Sequence, residues 1–220
     1  MNHWIDIETA HGPIRGWRCD PAGPSRGAVV VIQEIFGLNA HVRSVAERVA
    51  SEGFVAVAPA LFDPLERGLE LDYDDAGTQR GRELRRELGA DRAIDLVAAT
   101  AHLLERGGLR TGTMGFCWGG TIALLANTRL GLPAVSYYGG QSVPFLDEPL
   151  RAPMMFHFGQ RDPIIRPEHV ALHRSKHPGA IIHEYPAGHG FNCDQRSDHD
   201  PASATLAWTR TIDFFSEALR

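Results

Sequence analysis

Short, continuous apolar runs recur along the chain and alternate with longer stretches of helical periodicity. Gly27 to Ile32 (Gly-Ala-Val-Val-Val-Ile) has no polar position, the pattern of a strand buried on both faces. Phe54 to Ala58, Thr111 to Cys117, Ala134 to Tyr138, Pro153 to Phe158 and Ala180 to Tyr185 read as further strands, ended by proline, glycine or a polar turn. Between them lie helical patterns. Asn39 is placed to cap a helix running to about Ser51, with Val42, Val45, Ala46 and Val49 on one face. Asp91 to Arg106 carries Ile94, Leu96, Val97, Ala101, Leu103 and Leu104 and stops at Gly107-Gly108. The run after Cys117 continues as a helix to about Arg129, Pro167 to Lys176 is a short helix, and Ala202 to Leu219 a terminal one. Trp4-Ile5-Asp6-Ile7 and Ile14 to Arg18 alternate around His11-Gly12-Pro13 and predict an antiparallel pair. Strand–helix alternation predicts an α/β class with a mostly parallel central sheet flanked by helices on both faces. With no linker, repeat or low-complexity segment, residues 1–220 are expected to form a single domain. The charged, glycine-interrupted stretch 62–89 is the one region without clear periodicity. It is expected to be a surface excursion, either solvated and partly helical or serving as a lid or substrate-binding loop.

Composition narrows the function by exclusion. The formal net charge of −5 offers no electrostatic footprint for nucleic acid. No apolar run approaches the roughly 20 residues of a membrane span, and the N-terminus lacks the pattern of a signal peptide, so a cytoplasmic location is expected. The three cysteines, Cys19, Cys117 and Cys193, are odd in number and far apart, which fits a reducing compartment rather than a disulfide framework.

Candidate chemistry concentrates at Gly115-Phe116-Cys117-Trp118-Gly119, a G-x-C-x-G between a strand and a helix. This is the nucleophile turn of an α/β-hydrolase with sulfur in place of oxygen. The residues two before and two after the nucleophile crowd each other, so glycine is wanted at both. A helix beginning at the cysteine favours a thiolate and an oxyanion. Taken alone, the motif is equally a tight turn around a buried, inert cysteine. What separates the readings is order. Asp162 and His189 also follow predicted strands, and ligand sites in such sheets lie beyond the strands' C-terminal ends. Nucleophile, acid, histidine is the hydrolase chain order. In that scheme Cys117 attacks a carbonyl, His189 takes the thiol proton and later activates water, and Asp162 orients His189. The oxyanion hole would use the N–H groups of Trp118 and of Ile35, in the loop Gln33-Glu34-Ile35-Phe36-Gly37. His169, His173 and His177 share a helical spacing that suits zinc, but Pro178 puts the last of them off the helix, and a solvated face is the favoured reading, so no metal and no cofactor is expected.

Five segments together resemble one family. Gln-Glu-Ile-Phe-Gly at 33–37, Gly-Phe-Cys-Trp-Gly-Gly at 115–120, Ser-Tyr-Tyr-Gly-Gly at 136–140, Phe-Gly-Gln-Arg-Asp at 158–162 and Ala-Gly-His-Gly-Phe at 187–191 are similar to the dienelactone hydrolases, or carboxymethylenebutenolidases. The resemblance spans nearly the whole chain in the correct order. It implies an α/β-hydrolase fold, a Cys117–His189–Asp162 triad and a small-molecule lactone or ester substrate. It also implies a role for Glu34, which in the family contacts the resting cysteine and helps govern when the thiolate forms. By its residue type alone, Glu34 could equally be a buried or paired carboxylate. The family's type enzyme grips its substrate carboxylate with two arginines. Here the segment after the histidine reads Gly190-Phe191-Asn192-Cys193, and the nearest arginine is Arg196, while Arg80, Arg82, Arg85 and Arg86 compete for the second place. Tyr138 and Phe191 complete the candidate substrate contacts.

Sulfur itself narrows the substrate. A thiolate, with a pKa of about 8.5 for the free thiol, leaves a tetrahedral intermediate more easily than an alkoxide. An alkyl ester therefore mostly reverts, whereas an enol lactone, with a stabilised enolate leaving group, goes forward. The expected activity is opening of an enol lactone such as dienelactone through a Cys117 thioester. The alternatives are a broader carboxylic ester or thioester hydrolase and, from another class, a non-catalytic ligand carrier or thiol redox sensor. Monomer and homodimer are equally compatible with the sequence.

Overall fold

The computed structural model describes all residues 1–220, and the chain divides into two compact units, Met1–Thr113 with Leu219–Arg220, and Met114–Ala218. Its eight strands are mostly parallel, as the α/β reading requires.

In the first unit β1 (Asn2–Ile7) and β2 (Ile14–Cys19) form the antiparallel pair, and β2 continues antiparallel onto β4 (Val55–Pro59). β3 (Ala28–Ile32) pairs parallel with β4, so the local order is β1-β2-β4-β3. Every residue of β3 and β4 is buried. At about 1.5–3 kcal/mol for each large apolar side chain, these strands outweigh the exposed ion pairs of the unit, worth about 0–1 kcal/mol each. Helix α1 (Ala40–Ser51) starts where the sequence puts it. The Asn39 side chain accepts the Val42 N–H at 3.2 Å, and the four residues named for its apolar face are buried.

The stretch 62–89 is partly helical, the first of its two expected forms, but the helix begins earlier than the periodicity shows. Helix α2 runs from Asp75 to Arg106, beginning sixteen residues before the Asp91 start read from periodicity, and breaks at Gly89, whose φ of 74° and ψ of 165° are not helical. Asp74 caps it, accepting the Gly77 N–H at 2.7 Å. Two glycines that argue for a loop serve close contact instead: a Cβ on Gly77 would collide with the Asp72 carbonyl and one on Gly81 with the Ile35 carbonyl. Residues 60–74 remain irregular, tied down by Asp63, whose carboxylate accepts the N–H groups of Arg15 and Gly68, each at 2.8 Å.

In the second unit β5 (Thr111–Phe116, which crosses the boundary) is followed by α3 (Trp118–Leu125), which ends in a single π-helical turn at Ala126–Leu130. β6 (Ala134–Tyr137), β7 (Met154–Gly159) and β8 (Ile181–Tyr185) pair parallel in that order. Helices α4 (Pro167–Lys176) and α5 (Pro201–Ala218) match their expected limits within a residue. No helix is long and apolar enough to cross a membrane.

Candidate active site

β5 ends at Phe116, and Cys117 turns the chain into α3 with φ 53° and ψ −117°, a conformation L-residues avoid. Its N–H donates to the Tyr137 carbonyl at 3.0 Å, which ties the turn to the end of β6. The crowding argument for the flanking glycines holds: a Cβ on Gly115 would overlap the backbone of Gly119. Cys19 and Cys193 are fully buried, but Cys117 keeps part of its surface open. Trp118 opens α3, and N–H groups in a first helical turn point outward along the axis.

Asp162 and His189 follow β7 and β8. His189 Nδ1 lies 2.7 Å from Asp162 Oδ2, and both side chains are buried. The other carboxylate oxygen, Oδ1, accepts the N–H groups of Ile164 at 2.7 Å and Ile165 at 3.1 Å, which fixes the carboxylate plane. The Asp162 and His189 loops also interlock through their backbones. Arg161 N–H donates to the Ala187 carbonyl at 2.9 Å, and a Cβ on Gly159 would meet the carbonyls of Ala187 and Gly188.

Burial alone pushes the His189 pKa down. Cys117 and Asp162, acting by charge and hydrogen bonding, more than reverse this and raise it from 6.5 to about 10. His189 Nε2 is buried and has no hydrogen bond of standard geometry; sulfur makes long, weak bonds, and Cys117 is nonetheless the ring's second electrostatic partner. The arrangement is that of a buried imidazole bonded to a carboxylate and acted on by the charge of a neighbouring thiol.

Tyr138 and Phe191, both fully buried, form the wall beside this pair. The Tyr138 ring stands edge-on to His189 at 5.2 Å and to Phe191 at 5.3 Å. Tyr138 itself has a φ of 41°, the second non-glycine residue after Cys117 with positive φ. Both strained residues thus border the candidate site, the usual place for such cost.

Glu34 and Ile35 lie in the first unit, directly after β3. Glu34 is completely buried. The loop is fixed within that unit: Gln33 Oε1 accepts the Leu61 N–H at 3.1 Å, the Phe36 carbonyl accepts the Leu71 N–H at 2.9 Å, and the Phe36 and Tyr73 rings pack at 4.5 Å. Arg80 is engaged by Glu66 at 2.9 Å and Glu83 at 3.6 Å, Arg82 is exposed and Arg85 half-buried. In the second unit Arg196 folds back over Gly190 and lies 3.7 Å from Asp198. Of the three helix histidines, His177 falls beyond the end of α4, as Pro178 foretells. His173 is buried against the rings of Phe156 and Phe158 at 5.0 Å, and burial lowers its pKa to about 4.

Sequence reasoning missed two features of the second unit. One is a buried set around His157, which contacts the Tyr185 hydroxyl at 2.8 Å and Thr211 Oγ1 at 3.0 Å. Nothing in an apolar strand pattern signals that a histidine there is paired with a threonine of the last helix. The other is Asp198; the paired glycines around His189 were its only sequence signal.

Comparison with known proteins places the chain in a family. The dienelactone hydrolase family matches residues 14–219. A carboxymethylenebutenolidase from a Pseudomonas strain is 32% identical over 206 residues, covering 86% of this chain and 85% of that protein. A candidate carboxymethylenebutenolidase from Synechocystis is 31% identical over 98% of this chain and 96% of its own length. The crystal structure of a candidate dienelactone hydrolase from Klebsiella pneumoniae superposes with a TM-score of 0.87 at 27% identity, covering 99% and 98% of the two chains. The chain is an α/β-hydrolase-fold enzyme, a hydrolase belonging to the dienelactone hydrolase family.

Proposed function

We propose that this hydrolase opens an activated lactone, of the dienelactone type, through a thioester on Cys117. The observation that carries the reading is His189, bonded on one side to Asp162 and acted on from the other by Cys117. The raised pKa of His189 favours an imidazolium beside the Cys117 sulfur. The thiolate sulfur attacks the lactone carbonyl carbon, and the carbonyl π pair moves onto oxygen. Trp118 N–H, at the start of α3, serves as one oxyanion donor. By family pattern Ile35 N–H serves as the second, and Glu34 governs ionisation of the resting thiol. Collapse of the intermediate breaks the ring C–O bond and releases an enolate, which takes the imidazolium proton. His189 then draws a proton from water, the resulting hydroxide attacks the thioester, and the thiolate leaves. Tyr138 and Phe191 brace the imidazole. Arg80, Arg82, Arg85 and Arg196 are the candidates for a substrate carboxylate, and Arg80 would have to be drawn from Glu66 and Glu83 and Arg196 from Asp198. The reading places the enzyme in the cytoplasm, where a reducing medium keeps Cys117 a thiol.

The test is turnover of a dienelactone and of p-nitrophenyl acetate by the wild type and by Cys117→Ala. Lactone opening lost in the variant supports the assignment. Cleavage of the nitrophenyl ester alone keeps the thiol chemistry and rejects the lactone. Equal turnover by the variant rejects the nucleophile.

A further inference from the structure

His189 sits between two glycines, and each is covered by one member of an ion pair. Gly190 has a φ of 80°, and a Cβ built on it would lie 2.9 Å from Arg196 Nε and Cζ and 3.1 Å from Nη1. The guanidinium therefore rests against the bare backbone next to the histidine. On the other side a Cβ on Gly188 would contact Asp198 Oδ1 at 3.4 Å. Arg196 Nη2 and Asp198 Oδ2 are 3.7 Å apart, which joins the two covers.

The segment that delivers them is itself anchored. Cys193 N–H donates to the Gly190 carbonyl at 2.9 Å and Arg196 N–H to the Cys193 carbonyl at 3.2 Å, two successive turns that bring the chain back over the loop. Asp200 N–H donates to the Phe191 carbonyl at 3.1 Å, and its side chain caps α5 by accepting the Ser203 N–H at 2.9 Å. The return path is thus tied to a helix at one end and to the histidine loop at the other.

We infer that Arg196 and Asp198 are positioning residues whose ion pair clasps the Gly188-His189-Gly190 loop and holds the imidazole between Asp162 and Cys117. The inference rests on the proposed thiol chemistry. A glycine on each side leaves the histidine loop without side-chain packing of its own, and glycine is the costliest residue to order. The clasp supplies the missing contact from outside. It also accounts for an arginine near the histidine without giving it the substrate: its guanidinium faces backbone and a carboxylate. A misplacement of about 1 Å at such a ring can cost on the order of 100-fold in rate.

The test uses Arg196→Met, which keeps the length of the side chain without its charge, Asp198→Asn, and the double variant. Each is assayed on p-nitrophenyl acetate, which has no carboxylate, and on a dienelactone, which has one. Both single variants are expected to lower kcat about 10-fold or more on both substrates, with KM little changed. The double variant should be no worse than either single one, and Arg196→Lys should recover part of the loss. Alongside, the rate of Cys117 alkylation by iodoacetamide is followed against pH; its midpoint should rise in both single variants while their urea midpoints stay at the wild-type value. A loss confined to KM for the dienelactone would make Arg196 a substrate-binding arginine and overturn the clasp. So would unchanged kcat on both substrates. If the wild type turns over neither substrate, the proposed function fails, and the alkylation profile alone decides the clasp: an unshifted midpoint in both variants overturns it.

Discussion

Two buried histidines in the second unit titrate in opposite directions. His157 and His189 are both removed from solvent, and both hold a partner on Nδ1 at 2.7–2.8 Å. The partner's charge makes the difference. His157 contacts the neutral hydroxyls of Tyr185 and Thr211, so burial is unopposed and drives its pKa well below 6.5, with the charges of His183 and Arg210 adding to the effect. His189 pays the same burial cost, but Cys117 and Asp162 reverse it. Burial beside neutral hydroxyls holds an imidazole neutral, whereas burial beside a carboxylate and a thiol favours its protonated form. Their positions in the fold differ as well: His157 lies on β7 itself and His189 just beyond β8.

The most severe way to break the contrast is Asp162→Asn. The substitution keeps the shape and the hydrogen bond to Nδ1 but removes the charge and permits the wrong tautomer. Loss of kcat by about 10⁴-fold is expected, the size seen when a triad carboxylate is neutralised in place. The imidazole resonances of His189, followed by NMR against pH, should then titrate far below 10, as His157 does. A variant that retains more than a tenth of wild-type kcat would remove Asp162 from the mechanism.

The converse change is His157→Leu. It strands the hydroxyls of Tyr185 and Thr211, although Tyr137 lies 2.7 Å from Thr211 Oγ1 and Arg210 donates to Tyr185 at 3.1 Å. Each hydroxyl therefore keeps one bond, and the expected loss of stability is about 2–4 kcal/mol rather than more. Urea unfolding measures it. The active enzyme should keep kcat within a few-fold, because no proton passes through His157. A larger fall in kcat with normal stability would mean that the two histidines are coupled.

The pH dependence of stability sharpens the contrast by sign. His189, raised in the folded state, binds a proton that the unfolded chain releases above 6.5, so its stabilisation is complete below pH 6.5 and is lost as pH rises towards 10. His157 does the opposite: its folded form stays neutral while the unfolded chain takes up a proton, so stability falls as pH drops below 6.5. Each limb has a limiting slope of about 1.4 kcal/mol per pH unit. His173, His177 and His183, all lowered by burial, add to the acid limb, so the measurement is the difference between wild type and variant. His157→Leu should flatten the acid limb, and Asp162→Asn should flatten the alkaline limb.

The sequence made these two regions unequally visible. Cys117, Asp162 and His189 were legible as a candidate set because each was expected just after a strand, where the structure has them, and the turn glycines at 115 and 119 had a steric reason that the structure repeats. The apolar runs located β3 and β4 within a residue, because strands buried on both faces leave no other pattern. Helix α2 was half hidden. Its first turns carry Gly77 and Gly81, which lower local propensity, and too few apolar residues to mark a helical face. What overrides this is tertiary: the two glycines admit backbone carbonyls that no larger residue could, and Asp74 supplies the cap. Contacts that join distant segments, such as His157 to Thr211 or Asp198 to Gly188, leave no periodic trace.

The smallest effect comes from a third buried polar group, which has neither an anion nor a hydroxyl. Asn192, three residues beyond His189 and 2% exposed, has no hydrogen-bond partner at either end of its carboxamide. By the logic that separates the two histidines, this side chain bears the cost of burial without return, about 1–3 kcal/mol for each group left unpaired, less whatever a bound water restores. Asn192→Leu has nearly the same shape and removes both polar atoms. It is expected to leave kcat within two-fold and to hold or raise the urea midpoint, by about 1 kcal/mol in stability. A loss of more than that amount would show that the carboxamide has a partner, an ordered water above all. The neighbourhood of His189 would then follow the His157 rule, with every buried polar atom satisfied, rather than tolerating an orphan beside a charged pair.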